Sequence, residues 1–182
     1  LVIGQIVAAI APQSQQVLVE IGPGHGAITR LLVDACRELH VIEIDRDLVA
    51  RLHTRFAGHD NLHIHNVDAL RVDLCALCAG QRLRLVGNLP YNISTPLLFH
   101  VIEHISCIED MHFMLQREVV ERMAAVPGSK DYGRLSIMIQ YYCRVEPILD
   151  VGPESFTPPP KVDSSVVHLV PHQTRPVQVD DF

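Results

Sequence analysis

Val17-Leu18-Val19-Glu20-Ile21 runs directly into Gly22-Pro23-Gly24-His25-Gly26, and this junction restricts the fold more than any other stretch of the chain. Four of the first five residues are apolar, without the strict polar alternation of a half-exposed strand, so they read as a strand covered on both faces. The glycines that follow permit a tight turn and let a ligand approach the backbone closely. Ala27 to Cys36 then carries a helical period. The unit is strand, glycine turn, helix.

The same alternation continues. Val41 to Ile44 reads as a second strand, with a helix over Asp47 to Phe56. Leu62 to Asn66 is a third strand and Leu83 to Gly87 a fourth. Thr95 and Pro96 read as a cap and first helical position, with apolar residues continuing to Ile105. Met111 to Leu115 is a fifth strand, followed by helices over Glu118 to Ala125 and Leu135 to Cys143. Val145 to Val151 and Val162 to Val170 close the sheet, and Val2 to Ile10 is a short helix ended by Pro12. The expected fold class is α/β: a mainly parallel seven-stranded sheet covered on both faces. No helical pattern separates the last two strands, so they predict an antiparallel hairpin at one edge. Pro158-Pro159-Pro160, within that connection, reads as a stiff loop.

A length of 182 residues with 48% hydrophobic content fits one domain, residues 1–171, with the polar stretch 172–182 as a linker or the start of a further helical domain. Charges interrupt every apolar run before membrane-spanning length, and the N-terminus shows no basic-then-apolar leader. The five cysteines are odd in number and scattered, which suits a reducing cytoplasm. The lone pair Cys75 and Cys78 reads as buried thiols, and the eleven histidines as surface or satisfied core residues, so no metal is expected. A net charge of −6 argues against a nucleic-acid-binding surface over the whole chain, and requires any RNA contact to be local.

In an open parallel sheet, ligands bind beyond the carboxyl ends of the strands. Gly22-x-Gly24-x-x-Ala27, with Glu43 about 20 residues on, also satisfies the dinucleotide fingerprint. The turn alone therefore leaves a nicotinamide enzyme and a methyltransferase both open. Glu20 tips the balance: a carboxylate there repels a pyrophosphate but suits a sulfonium and an ammonium group. Asp68, after the third strand, is placed to accept a hydrogen bond from an adenine amine. Acids at three successive strand ends favour S-adenosyl-L-methionine as cofactor.

The fourth strand ends in Asn88-Leu89-Pro90-Tyr91. An amide oxygen and the Leu89 carbonyl, fixed by Pro90, can both accept from an exocyclic amine, and the Tyr91 ring can stack on its heterocycle. This equipment suits methyl transfer to a nucleobase nitrogen. Arg117, Arg122, Lys130, Arg134 and Lys161 gather in the second half as a candidate RNA-binding patch, interleaved with Glu118, Glu121 and Asp131.

Taken together, Glu20 to Gly24, Ile42 to Asp45, Asn66 to Ala69, Gly87 to Ser94, Leu115 to Glu118, Tyr132 to Ser136 and Phe156 to Ser164 give the chain a co-linear resemblance to the rRNA adenine dimethyltransferases. It is most similar to the bacterial small-subunit type. The resemblance implies a Rossmann-like class I methyltransferase fold and dimethylation of N6 on two adjacent adenosines near the 3′ end of 16S rRNA. The implied substrate is a pre-assembled small ribosomal subunit, met in the cytoplasm by a monomer. By the same resemblance, Gly22 and Gly24 line the methionine moiety, Glu43 holds the ribose hydroxyls, and Ile44, Asp68 and Ala69 surround the adenine. Asn88 and Leu89 hold the target amine, and Tyr91 and Phe156 flank the base. A segment before Leu1 that helps close the cofactor site, and a helical domain after residue 182, are further expectations of the resemblance. A nicotinamide oxidoreductase is disfavoured by Glu20, a non-catalytic assembly factor by the intact Asn88–Tyr91 set, and a large-subunit methyltransferase by Phe156 to Ser164.

Overall fold

The computed structural model describes residues 2–78, 81–156 and 159–176. Seven strands form one sheet: β1 (Val17–Ile21), β2 (Glu38–Glu43), β3 (Leu62–Asn66), β4 (Leu83–Asn88), β5 (Ile108–Gln116), β6 (Cys143–Val151) and β7 (Ser164–Pro171). Six α-helices accompany them: α1 (Val2–Ile10), α2 (Thr29–Leu32), α3 (Arg46–Arg55), α4 (Ser94–Glu103), α5 (Arg117–Ala124) and α6 (Arg134–Tyr142). Among the described residues, no helix is long and apolar enough to cross a membrane.

The strand order is β3-β2-β1-β4-β5-β7-β6. β1 pairs in parallel with both β2 and β4, so the chain reverses its direction of travel across the sheet at the β1–β4 seam. That reversal opens a crevice beyond the strand ends, where the glycine turn lies. β7 runs antiparallel between β5 and β6, which leaves β6 at the edge of the expected hairpin. Every residue of β1 is buried, because alternate side chains enter two different cores. Val17, Val19 and Ile21 pack with Leu83, Leu85, Leu97 and Phe113. Leu18 joins Ile6, Ile10, Leu39, Leu52 and Val86 on the other face.

Three expectations need correction. The helix expected over Ala27 to Cys36 is only the four residues of α2. Tight i→i+3 bonds flank it, and the Asn61 amide donates to the Val33 carbonyl at 2.7 Å, so the helical ladder ends early. Cys75 is not a free thiol: it forms a disulfide with Cys107, 32 residues away, and joins the 3₁₀ turns Cys75–Cys78 and Ile105–Cys107. Short-range spacing cannot reveal such a pair. Cys36 and Cys143 are free and buried. Two buried histidines are not satisfied, since His40 Nε2 and His112 Nδ1 lack hydrogen-bond partners. Of the expected proline loop and terminal linker, residues 157–158 and 177–182 lie outside the described residues.

A buried ion pair binds β4 to β5. Arg84 donates to both Asp110 oxygens at 2.7 and 2.8 Å, and to Gln16 Oε1 at 2.9 Å. The guanidinium, with His168, holds the Asp110 carboxyl below the usual carboxylate range despite its burial.

Candidate active site

The crevice contains a cavity of about 330 Å³, lined by Ile21, Gly22, Ile42, Glu43, Ile44, Val67, Asp68, Ala69, Leu70, Pro90, Asn92 and Ile93. Residues after four strands thus converge on one space. Gly22 and Gly24 have φ of +69° and +56°, a region glycine adopts without strain. A Cβ on Gly22 would stand 3.5 Å from the Asn88 backbone carbonyl, so the glycine turn and the end of β4 are in contact. Gly87 is required for a different reason. A Cβ there would lie 2.6 Å from the Ile21 carbonyl, closer than adjacent strands tolerate.

At the end of β2, the Glu43 carboxylate is oriented by backbone amides. Asp45 N–H donates to Oε1 at 3.0 Å and Gly24 N–H to Oε2 at 3.4 Å. Two bonds leave acceptor capacity for a diol, since a carboxylate offers about four lone-pair sites. Asn66, which ends β3, donates its side-chain amide to the Glu43 carbonyl at 3.0 Å and the Ile44 carbonyl at 3.1 Å. Ile44 is 67% exposed, an apolar surface at the cavity wall suited to a flat heterocycle. Asp68 caps the turn Ala69–Arg71 through Leu70 N–H at 3.0 Å, and its second oxygen lies 3.9 Å from Arg71 Nε.

Glu20 does not line this cavity. It is 2% exposed and accepts a 2.6 Å bond from the Thr29 hydroxyl, and burial pushes its carboxyl up to about 7. The expected direct role as a bare charge facing the cofactor therefore gives way to a buried anchor between β1 and α2.

At the end of β4, Asn88 is exposed while Leu89 is buried. Leu89 N–H continues the ladder to the Met114 carbonyl at 3.1 Å. Among the described residues, neither the Asn88 side-chain amide nor the Leu89 carbonyl is hydrogen-bonded. Both oxygens are therefore open to accept hydrogen bonds from a ligand. Pro90 lines the cavity, and the Tyr91 hydroxyl lies 3.0 Å from Ser164 Oγ, which fixes the half-exposed ring beside the start of β7. Phe156, after β6, lies at the same end of the sheet and packs partly against the core that contains Val151 and Val166.

The candidate RNA patch is uneven. Arg122, Lys130, Arg134 and Lys161 are exposed, and Arg134 also lies over the Phe99 ring at 5.7 Å. Arg117 instead meets Glu121 at 3.0 Å and Asp150 and Asp163 at 3.9 Å each, so its charge is largely answered within the protein. Sequence reasoning missed the clamp by Asn66, the wall residues Asn92 and Ile93, and the tight approach at Gly87. The first was accessible only as part of the Asn66 to Ala69 motif.

A parallel sheet with its reversal beside a glycine turn, an oriented strand-end acid and an apolar adenine wall define an S-adenosylmethionine-dependent methyltransferase. The donors present fit that cofactor: Glu43 for the ribose, Ile44 and Asp68 for the adenine, and the Cβ-free turn for the methionine portion. The family model described as Ribosomal RNA adenine dimethylase matches residues 1–182. The chain belongs to this family. It is 56% identical over 184 residues to the ribosomal RNA small subunit methyltransferase A of Hydrogenovibrio crunogenus, covering 99% of this chain and 69% of that protein. The protein of the same name from Pseudomonas syringae pv. syringae is 55% identical, with 99% and 68% covered. Among solved structures, a dimethyladenosine transferase from Plasmodium falciparum superposes with a TM-score of 0.84 at 32% identity, covering 94% of this chain and 62% of that one. The 23S rRNA methyltransferase ErmE gives 0.82 at 27% identity, covering 98% and 70%. The chain thus spans roughly two thirds of these relatives.

Proposed function

We propose that this chain carries the catalytic unit, residues 1–171, of an enzyme that dimethylates N6 of two adjacent adenosines near the 3′ end of 16S rRNA. The substrate is the assembling small ribosomal subunit in the cytoplasm, and the enzyme acts as a monomer. One observation carries the reading: a Cβ on Gly22 would stand 3.5 Å from the Asn88 carbonyl oxygen, so the glycine turn adjoins the end of β4, where, among the described residues, the Asn88 side-chain amide and the Leu89 carbonyl have no hydrogen-bond partner.

When bound, S-adenosylmethionine supplies an electrophilic methyl on sulfur. The protein's contribution is positional. The adenosine N6 lone pair is delocalised into the ring and is a poor nucleophile. In the first transfer Asn88 Oδ1 and the Leu89 carbonyl would each accept one N–H of the amine, drawing the nitrogen toward tetrahedral geometry and freeing its lone pair; in the second, the monomethylated amine keeps one N–H for one of these acceptors. The methylated nitrogen would carry an acidic proton that solvent can take, so the residues around it need only position the amine. No general base is needed. The target base must leave its stack at a cost of a few kcal/mol, and stacking on Tyr91 and Phe156 offsets about 1–3 kcal/mol for each ring.

The test is to incubate the full-length protein with methyl-labelled cofactor and undermethylated small subunits, then map the product. Label at N6 of two neighbouring adenosines supports the reading. Label on large-subunit rRNA or on another atom overturns it.

A further inference from the structure

β2 and β3 also carry a second group of donors that methyl transfer does not use. Glu38 opens β2, five residues before Glu43, and His40 follows two residues later on the same face. His40 lies directly opposite His63 in the β2–β3 register, with ring centroids 4.7 Å apart. One ligand atom from each of Glu38, His40 and His63 can be chosen so that all three lie within 4.8 Å of one another.

The protonation pattern of His40 makes this group more than a surface cluster. Its Nδ1 is 3.0 Å from His65 Nε2, hydrogen-bond distance. In the tautomer whose Nδ1–H donates to His65, Nε2 bears a lone pair, and this is the form a metal ion would select. That Nε2 atom is buried, has no hydrogen-bond partner, and sits 3.7 Å from Glu38 Oε2, too far for a bond. His40 as a whole is 7% exposed, so water does not readily answer it. A buried acceptor left unpaired is destabilising. The groups beside it are an imidazole and a carboxylate, and both present lone pairs of their own. A cation satisfies all three at once.

We propose that Glu38, His40 and His63 form a binding site for a divalent transition-metal ion of the zinc, nickel and copper group. Two imidazoles and one carboxylate are a donor set these ions accept, with a further position open to water. Ligand atoms around such an ion stand roughly 3.4 Å apart, from bond lengths near 2.1 Å. The exposed His63 and half-exposed Glu38 side chains close the remaining distance by rotation. Glu38 exchanges a 3.4 Å contact with Arg37 for the metal, a minor loss because both side chains are well exposed. His65 holds His40 in the ligating tautomer, as outer hydrogen bonds to metal-bound imidazoles do. A comparable trio, Asp110, His112 and His168, does not qualify, because Arg84 already supplies the positive charge there.

Zinc and nickel titrated calorimetrically into the chelator-treated full-length protein test the site. One ion per chain is expected, with affinity at least 10-fold lower in both His63→Ala and Glu38→Gln, and unchanged in His168→Ala. His63 is exposed, so its variant keeps the fold, which circular dichroism verifies. Zinc should also raise the melting temperature of the parent and not that of His63→Ala. Weak binding without defined stoichiometry, or equal affinity in parent and His63→Ala, overturns the proposal.

Discussion

Asn66 reaches across from the end of β3 to hold the Glu43 carbonyl at 3.0 Å, and the same amide holds Ile44 at 3.1 Å. It touches no cavity space itself. It fixes the backbone from which the Glu43 carboxylate and the Ile44 side chain, proposed to meet the ribose and the adenine, both project. Asn66→Ala is expected to weaken S-adenosylmethionine binding about 10-fold, near the 1–1.5 kcal/mol of a lost hydrogen bond. The turnover rate at saturating cofactor should hold within about 3-fold. Calorimetry with single-turnover kinetics separates the two, and Asn66→Asp, which has no donor, should not restore affinity.

Asn88→Ala should give the opposite split. Removal of one of two acceptors around the target amine is expected to slow the chemical step about 100-fold, comparable with loss of one oxyanion-type partner elsewhere. Cofactor affinity should stay within about 2-fold. Equal losses in both measurements would remove Asn88 from the transfer step.

Glu20 gives a pH signature. Its folded carboxyl titrates at about 7 against an ordinary value of 4.5, chiefly because burial disfavours the anion. Between those limits the folded protein keeps a proton that the unfolded chain has released, so stability declines as pH rises through the window. The total is roughly 3 kcal/mol, spread from about pH 4.5 to 7. Glu20→Gln keeps an acceptor for Thr29 and never ionises. Its melting temperature at pH 8 should exceed that of the parent by about 6–12 °C, and the gap should shrink toward pH 4.5. Parallel melting curves from pH 4 to 9 would contradict this.

The basic patch should divide by partner. Lys130→Glu and Arg134→Glu are expected to weaken binding to small subunits and flatten its salt dependence, because exposed cations release counterions from phosphate. Arg117→Gln should change the slope less, since Glu121, Asp150 and Asp163 already surround that guanidinium. Filter binding from about 50 to 200 mM salt measures both.

Asp110→Ala should destabilise the protein by about 3–5 kcal/mol, since it leaves the Arg84 guanidinium buried and unpaired. Chemical denaturation is the direct measurement. A loss below about 1 kcal/mol would mean that water reaches Arg84.

β1 and β3 are legible to the residue: β1 is an apolar run stopped by a glycine, and β3 alternates Leu62 and Ile64 with histidines before an Asn–Val–Asp turn. β5 was under-read by three residues at its start. Asp110 breaks the apolar pattern there, and its partner Arg84 lies on a neighbouring strand, which a linear reading cannot anticipate. α2 was over-read for a related reason: its periodicity is real, but the Asn61 amide that ends it comes from 28 residues downstream. At the site, residue chemistry alone suggests Asn88 and Leu89 as acceptors, and among the described residues neither the Asn88 side chain nor the Leu89 carbonyl is hydrogen-bonded. The inward turn of Glu20 is not legible in this way, since strand alternation sends its side chain to one of two faces and Thr29 decides what it meets. The disulfide and the unsatisfied His40 belong to the same class of features, set by juxtapositions across distant segments.

The crowding of Gly87 against the Ile21 carbonyl has a mechanical consequence. It holds β4 close against β1, so on the proposed reading the separation of the glycine turn from Asn88 follows interstrand spacing. Enlarging residue 87 would pry these strands apart. A base pocket remodelled at its rim, by contrast, can change what enters without altering how far the carbon travels.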